Sequence, residues 1–319
     1  RVLDVGSTVE LAAGGIVTYW LPVDQLLVPD TRAILAAFCD AFEDCSLWNG
    51  AAFNWMLVGT NGRAAPAFSG HFRALWSDAA LGPTLRGAGV ESPEQMGALF
   101  IADREVLREW VGGAPPLTDD FPHRILHKVG TTNVRREVIP VYRAWADAEE
   151  SGRRFAASRF VAAVWPETVR AATPAYFRWQ GTLGNAMLDG TSWQPPSVRG
   201  LAEVDAVLRE SSLRTLALWF LGTTVDEQLA LSALALRGER HEELLGLGAL
   251  ADRDYEGAAA MFARAGGSAN ECRRAYSLAL AGRRSDGEAL ARARMQLPGQ
   301  EAEAGFWAWM EGRFGYELR

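Results

Sequence analysis

Lysine is almost missing from this chain. Of its 32 basic residues only Lys128 is a lysine, and the others are arginine. Acids outnumber bases, 39 to 32, for a formal net charge of −7 over 319 residues, and no basic cluster interrupts the balance. Nucleic-acid binding draws on concentrated Lys and Arg to displace counterions from phosphates, so no nucleic-acid partner is expected. Cysteine is scarce as well. Cys39, Cys45 and Cys272 cannot build a full disulfide framework, and Cys39 sits in an apolar helical run that reads as core. A reducing, cytoplasmic setting is therefore expected. No apolar run approaches the roughly 18 residues needed to span a bilayer, and no signal peptide is expected. Gly-x-Ser-x-Gly and the phosphate-binding loop are also absent. The first residue is arginine, so a fragment or a trimmed chain is expected.

What is present reads as α/β followed by all-α. Ile16 to Leu21 is a short β-branched and aromatic run, bounded by Gly14-Gly15 and Pro22. Both of its faces are apolar, as in a buried parallel strand. A helix follows, with Asp30 as its N-cap, Ile34, Leu35, Phe38 and Phe42 at helical spacing, and an end near Asp44. Asn49-Gly50 then divides two short strands, a strong hairpin signal. Strand, helix and antiparallel hairpin close many Rossmann-like sheets, in which a reversed strand extends the parallel part. Residues 66–112 read as helical, with a capping box at Ser92 to Gln95 and proline in its first turn. Residues 138–163 read as helical again. Residues 165–200, with Trp165, Trp179, Trp193 and four prolines, read as a bridging segment.

From Leu201 onward every segment reads as helix and short turn. Leu245-Gly246, Tyr255, Ala258, Phe262 and Ala265 match the helix-pair pattern of a tetratricopeptide unit, with Asn270 in place of the usual terminal proline. An ordinary helical hairpin explains the same residues. Phe306, Trp307 and Trp309 read as a capping helix packed on its neighbour, or alternatively as an exposed patch for a protein partner.

Several phrases in order resemble the spermidine synthase-like family of polyamine aminopropyltransferases, in its long bacterial branch. "LAAGGIVTYWLPVDQL" is similar to that family's late strand and loop. "AILAAFCDAFEDCSLWNGAAFNWMLVGT" is similar to its next helix and terminal hairpin. "GVESPEQMGALFIADREVLREWVGGAPPLTDDFPHRI" is similar to its closing helices and final "TDD-x-P" element. The resemblance covers roughly residues 8 to 127. It implies aminopropyl transfer from decarboxylated S-adenosylmethionine, as co-substrate, to a diamine, without a metal. It also implies a parent protein that can carry a membrane segment upstream and a helical-repeat tail. A class I methyltransferase-like fragment shares the same strands.

The family's glycine-rich cofactor turn, ribose-binding acid and catalytic aspartate all precede the "GGI" strand, whereas only 13 residues precede Gly14 here. "VLDVGS" resembles the start of the cofactor turn, but "TVELAA" stands where G-x-G should continue. The expectation is the back half of such a sheet, with no cofactor bound by this chain, no catalytic base assigned and no activity of the chain alone. The expected division is a partial Rossmann-like domain at 1–130, a helical bridging segment at 131–200 and a tetratricopeptide-like domain at 201–319. By the resemblance, substrate-side residues are Trp20, Asp24, Gln25 and Trp48, with Asp24 placed to hold an ammonium and the two tryptophans to wall the pocket. A solvated loop acid and core aromatics are the plainer alternatives. Thr118-Asp119-Asp120 reads as a capped turn. His123 and His127 share a helical face, but Arg124 stands where zinc-protease chemistry needs glutamate and no third ligand is evident, so no metal is expected. The partners left open are a small amine and a protein bound through the helical tail.

Overall fold

A computed structural model describes residues 15–50, 54–60, 69–118, 131–188, 200–210, 213–224, 227–229, 231, 241–297 and 303–318. The chain divides into two compact units, one of residues 1–82 with 92–192 and the other of 83–91 with 193–319. It is a mixture of a small antiparallel sheet and many helices.

The first unit is built around β1 (Ile16–Pro22), β2 (Asp44–Asn49), β3 (Asn54–Thr60) and β4 (Phe100–Asp103), in the order β1-β3-β2-β4. Each neighbouring pair is antiparallel. The expected strand, helix and hairpin are present, with α1 (Val28–Ala41) between β1 and β2. Two expectations are corrected. Among the described residues β1 is an edge strand; its first five residues alternate between exposed and half-buried and only Leu21 and Pro22 are buried, where a strand buried on both faces was expected. An unbroken apolar run carries no alternation by which to tell the two apart. α1 begins at Val28 with Leu27 as its cap, so Asp30 lies inside the first turn; Pro29, with its preset φ, marks the start.

Alternation sorts the sheet's side chains into two faces. Leu21, Cys45, Leu47, Trp55 and Leu57 point to one side and form a buried core with Leu35 and Phe38 of α1, Leu107 of α5 and Tyr142 of α6. The helices along this stretch of sequence are α2 (Ser69–Ser77), α3 (Leu81–Gly87), which from Pro83 onward is counted in the second unit, α4 (Pro93–Gly97), α5 (Arg104–Val111) and α6 (Thr131–Trp145). Gly59 of β3 lies under Phe42 and Phe38; a Cβ there would stand 2.6 Å from Phe42 Cγ, so only glycine lets the helix end approach the strand. The capping box at Ser92 is formed, with Ser92 Oγ accepting from the Gln95 amide at 3.1 Å. β4, in a stretch expected to be helical throughout, pairs with β2. Its four residues are all buried, so the sheet captures a segment too short to show a period.

A second cluster lies against Trp48 and Phe100. It comprises Phe155 of α7 (Ala148–Ala157), Val161 of α8 (Arg159–Val164), Trp165, Val169 of α9 (Glu167–Ala172) and Phe177 of α10 (Pro174–Leu188). Much of the expected bridging segment is thus packed helix, with Trp165 and Trp179 buried. Trp193 and the prolines at 195 and 196 lie outside the described residues.

Cys39 is core, as expected, but it is also bonded. Cys39 at the end of α1 and Cys45 in β2 form a disulfide, their Cα atoms 5.3 Å apart. Persistent disulfides belong to oxidising settings, which weighs against the expected reducing one. Six residues of sequence separation conceal that the chain turns from helix into strand between them. Cys272 is free and buried. Among the described residues no helix is long and apolar enough to cross a membrane.

The second unit contains α11 (Gly200–Glu210), α12 (Arg214–Leu221), α13 (His241–Ala251), α14 (Tyr255–Ala265), α15 (Ser268–Leu280), α16 (Arg284–Met295) and α17 (Ala304–Phe314). α13 to α16 pack each on the next. Gly246 explains the close approach of α13 and α14, since a Cβ there would lie 2.7 Å from the Phe262 ring. Ala258 and Phe262 are fully buried. Asn270, in the place of the usual proline, donates to the Gly266 carbonyl at 2.9 Å and accepts from Arg273 at 2.8 Å. The Asp205 carboxylate, almost fully buried, accepts from Tyr276 Oη at 3.2 Å, Arg313 Nε at 2.8 Å and Arg209 Nε at 3.0 Å. It ties α11, α15 and α17 together. Phe306 and Trp307 are buried on α17, so the aromatic cluster is packing and not an exposed patch.

Two outcomes follow for stability. Phe262→Ala is expected to cost the chain about 3–5 kcal/mol in urea unfolding, and Gly246→Ala about 1–3 kcal/mol through overpacking. In the first unit, Tyr142 Oη donates to the Leu26 carbonyl at 3.1 Å and so accepts from Thr31 Oγ1 at 2.6 Å. Burial pushes its hydroxyl up from 10 to about 12. The unfolded chain therefore loses this proton first, and the stabilisation present below pH 10 is lost as pH rises towards 12. Thermal melts of wild type should fall across that window, and Tyr142→Phe should fall less steeply from a starting point about 1–3 kcal/mol lower.

Candidate functional site: an open face of the sheet

The register of the three long strands sets the site. Met56 of β3 is paired with Trp20 on one side and with Trp48 on the other. Directly opposed residues share a face, so Trp20, Met56 and Trp48 form one row. Thr18, Val58 and Ser46 form the next row, and Ile16, Thr60 and Asp44 the third. This face lies opposite the one that packs on α1, α5 and α6.

Among the described residues the face is covered at one end only. Trp48 is half-buried; its ring stacks on Trp165 with centroids 5.8 Å apart, meets Phe100 edge-on at 5.3 Å, and donates its N–H to Ser46 Oγ at 2.8 Å. At the other end Trp20 is 57% exposed and Ile16 65% exposed. Trp20 Nε1 donates to Asn54 Oδ1 at 2.8 Å, which holds the indole flat along the neighbouring strand. Met56, Val58 and Thr60 are half-buried between these extremes.

Two of the four expected site residues thus share a row, but with different surroundings. Trp48 is part of a core cluster, and Trp20 lies open. Gln25 is exposed in the short 3-10 turn of Val23–Gln25 that follows β1. The backbone of Asp24 is in that turn, while its side chain lies outside the described residues, as do Asp119, Asp120, His123 and His127. Among the described residues no group of three or more His, Cys, Asp or Glu side chains could hold a metal ion. Asn54 and Met56 were missed by sequence reasoning. The alternation in "NWMLVGT" is the signal that places Asn54, Met56 and Val58 opposite Trp55, Leu57 and Gly59.

Chemically the face carries two acids, Asp44 in the third row and the buried Asp103, which pairs with Ser46 of the second. The Ser46 hydroxyl is fully buried and spent on Trp48 and on the Val58 carbonyl, so it offers no nucleophile. Flat apolar rings suit stacking better than proton transfer. Comparison of the chain with protein-family models, with curated proteins and with solved structures finds no match.

The two tryptophans should respond oppositely to truncation. Trp48→Ala is expected to cost about 2–4 kcal/mol, near the core range, because it empties a ring from the Trp165–Phe100 cluster. Trp20→Ala should stay within about 0.5 kcal/mol and remove the fluorescence component most accessible to acrylamide. Denaturant melts with quenching on the same samples check both.

Proposed function

We propose that residues 16–118 are the closing portion of a spermidine synthase-like sheet, and that the protein of which they are part transfers an aminopropyl group from decarboxylated S-adenosylmethionine to a diamine. The observation that carries this reading is the seating of β3 between β1 and β2 after the intervening helix α1. A strand, its helix and a hairpin whose second strand returns beside the first is the order in which the resembled family ends its sheet. β1's outer edge would be where the earlier strands join. The turn at Val23–Gln25 follows the carboxyl end of β1, the end at which open α/β sheets take their ligands. In this reading Asp24 and Gln25 face the amine and Trp20 flanks it, while a positively charged sulfonium supplies an already activated leaving group.

A second reading has its own observation. The successive packing of α13 to α16, with Gly246 under Phe262, supports a helical-repeat unit that binds a protein partner.

Calorimetry and intrinsic fluorescence of the 319-residue chain separate these readings. The transferase reading predicts saturable quenching of Trp20 by putrescine, abolished in Trp20→Phe, and no saturable binding of methylthioadenosine. A fluorescence signal indifferent to the diamine would remove the amine site. Micromolar methylthioadenosine binding would contradict the expectation that this chain lacks the cofactor half.

A further inference from the structure

We propose that the Cys39–Cys45 disulfide is a gated redox switch, held shut by Arg104, through which a dithiol reductant loosens one end of the sheet without unfolding it. The bond joins the last turn of α1 to β2. Both of its residues are buried, Cys39 at 3% and Cys45 at 1% exposure. Thiol exchange requires a thiolate to reach one of the two sulfurs, so the closed fold shields the bond. The turn that the bond closes, residues 40–44, does reach the surface: Asp40, Ala41 and Glu43 are exposed. That turn is the way in.

Two contacts pin the turn. From inside, the Phe42 ring lies against Gly59 of β3. From outside, Arg104 Nη1, at the start of α5, donates to the carbonyls of Phe42 and Glu43 at 2.7 and 2.5 Å. Both carbonyls belong to the loop that the disulfide closes, and one charged donor shared between them holds that loop as a piece. Once Arg104 lets go, the turn lifts and a dithiol can attack. Its first thiolate bonds to one cysteine sulfur, and the other cysteine sulfur leaves as a thiolate. Its second thiolate then displaces the first cysteine. Two electrons and two protons pass to Cys39 and Cys45, and the reductant becomes a cyclic disulfide. Beyond the turn, Asp44 opens β2, pairs with Thr60 of β3 and accepts from its Oγ1 at 3.5 Å. That pair belongs to the third row of the open face, so reduction frays this row while Trp20, Met56 and Trp48 keep theirs.

Timed reduction of the whole chain, isolated without reductant, tests this. Dithiothreitol is added in native buffer, aliquots are quenched in acid, and thiols are alkylated in denaturant and counted by mass. A closed bond leaves one thiol, Cys272, and an open bond adds Cys39 and Cys45. Wild type should open about a hundredfold more slowly in buffer than in urea, and Arg104→Ala about tenfold faster than wild type in buffer, with an unchanged far-UV spectrum. Trp48→Ala destabilises the same unit elsewhere and should open at the wild-type rate. Should Arg104→Ala misfold, the double variant Cys39→Ala with Cys45→Ala fixes the opened state instead. In it the amide hydrogens of residues 42–45 should exchange about tenfold faster than in wild type, and those of Tyr19 and Leu57 at an unchanged rate. The proposal is overturned if all three thiols are found before reductant is added, or if wild type opens as fast in buffer as in urea. It is also overturned if Arg104→Ala opens no faster than wild type, if Trp48→Ala opens as fast as Arg104→Ala, or if the double variant exchanges like wild type at residues 42–45.

Discussion

The seating of β3 governs the first unit. Because it lies between β1 and β2 and is antiparallel to both, one register fixes which side chains of three strands share a face. A slip of one residue would send Trp55 and Leu57 out of the core and bring Asn54 and Met56 into it. Gly59 keeps that register in place, since only there can Phe38 and Phe42 descend onto the strand. The turn between α1 and β2 is held from outside as well, where Arg104 Nη1 donates to the Phe42 carbonyl at 2.7 Å. The covered and the open faces therefore have a single cause, and the site is what remains once the core has taken its half of the sheet.

Much of this architecture was legible in the residues. Asn49-Gly50 announced the hairpin, the spacing of Ile34, Leu35 and Phe38 announced α1, though not its cap, and Ser92 with Pro93 announced α4. Gly246, Ala258 and Phe262 foretold the close pair of helices, because small residues opposite a large ring have few other uses at that spacing. The position of β1 at an edge could not be read, since Ile-Val-Thr-Tyr-Trp-Leu is apolar at nearly every position and looks the same whether covered or bare. β4 escaped because four residues carry no measurable period. The Cys39–Cys45 bond escaped because a helical reading prolonged to Asp44 leaves no room for the chain to turn back between them, whereas the chain becomes extended at Phe42. Of the site, Trp20 and Trp48 were found as residues, but their common row with Met56 depends on pairing that no single strand reveals.

The two units hold their helices together by different means. The first relies on stacked rings: Trp110 lies on Trp145 with centroids 4.6 Å apart, and the Arg154 guanidinium lies 4.9 Å from the Trp110 centroid while donating to the Trp145 carbonyl at 2.7 Å. The second relies on a few buried polar anchors, with Asp205 receiving three donors and Glu303 receiving Arg294 and Trp307. Rings tolerate sliding, whereas a buried carboxylate with its lone pairs assigned does not. Rearrangement of helices against one another is thus easier around the first set of contacts than around the second.

The near-absence of lysine has its own consequence. The ion pairs just described are all made by arginine, whose guanidinium keeps its proton beyond the range in which an ammonium would shed it. In most proteins an alkaline titration mixes the discharge of lysines with that of tyrosines. Here the cationic framework remains charged far into base, where burial also holds the phenols of Tyr142, Tyr276 and Tyr316 above their ordinary value. Amine-directed labels, which find one lysine side chain in these 319 residues, at Lys128, therefore leave the arginine ion pairs described above untouched.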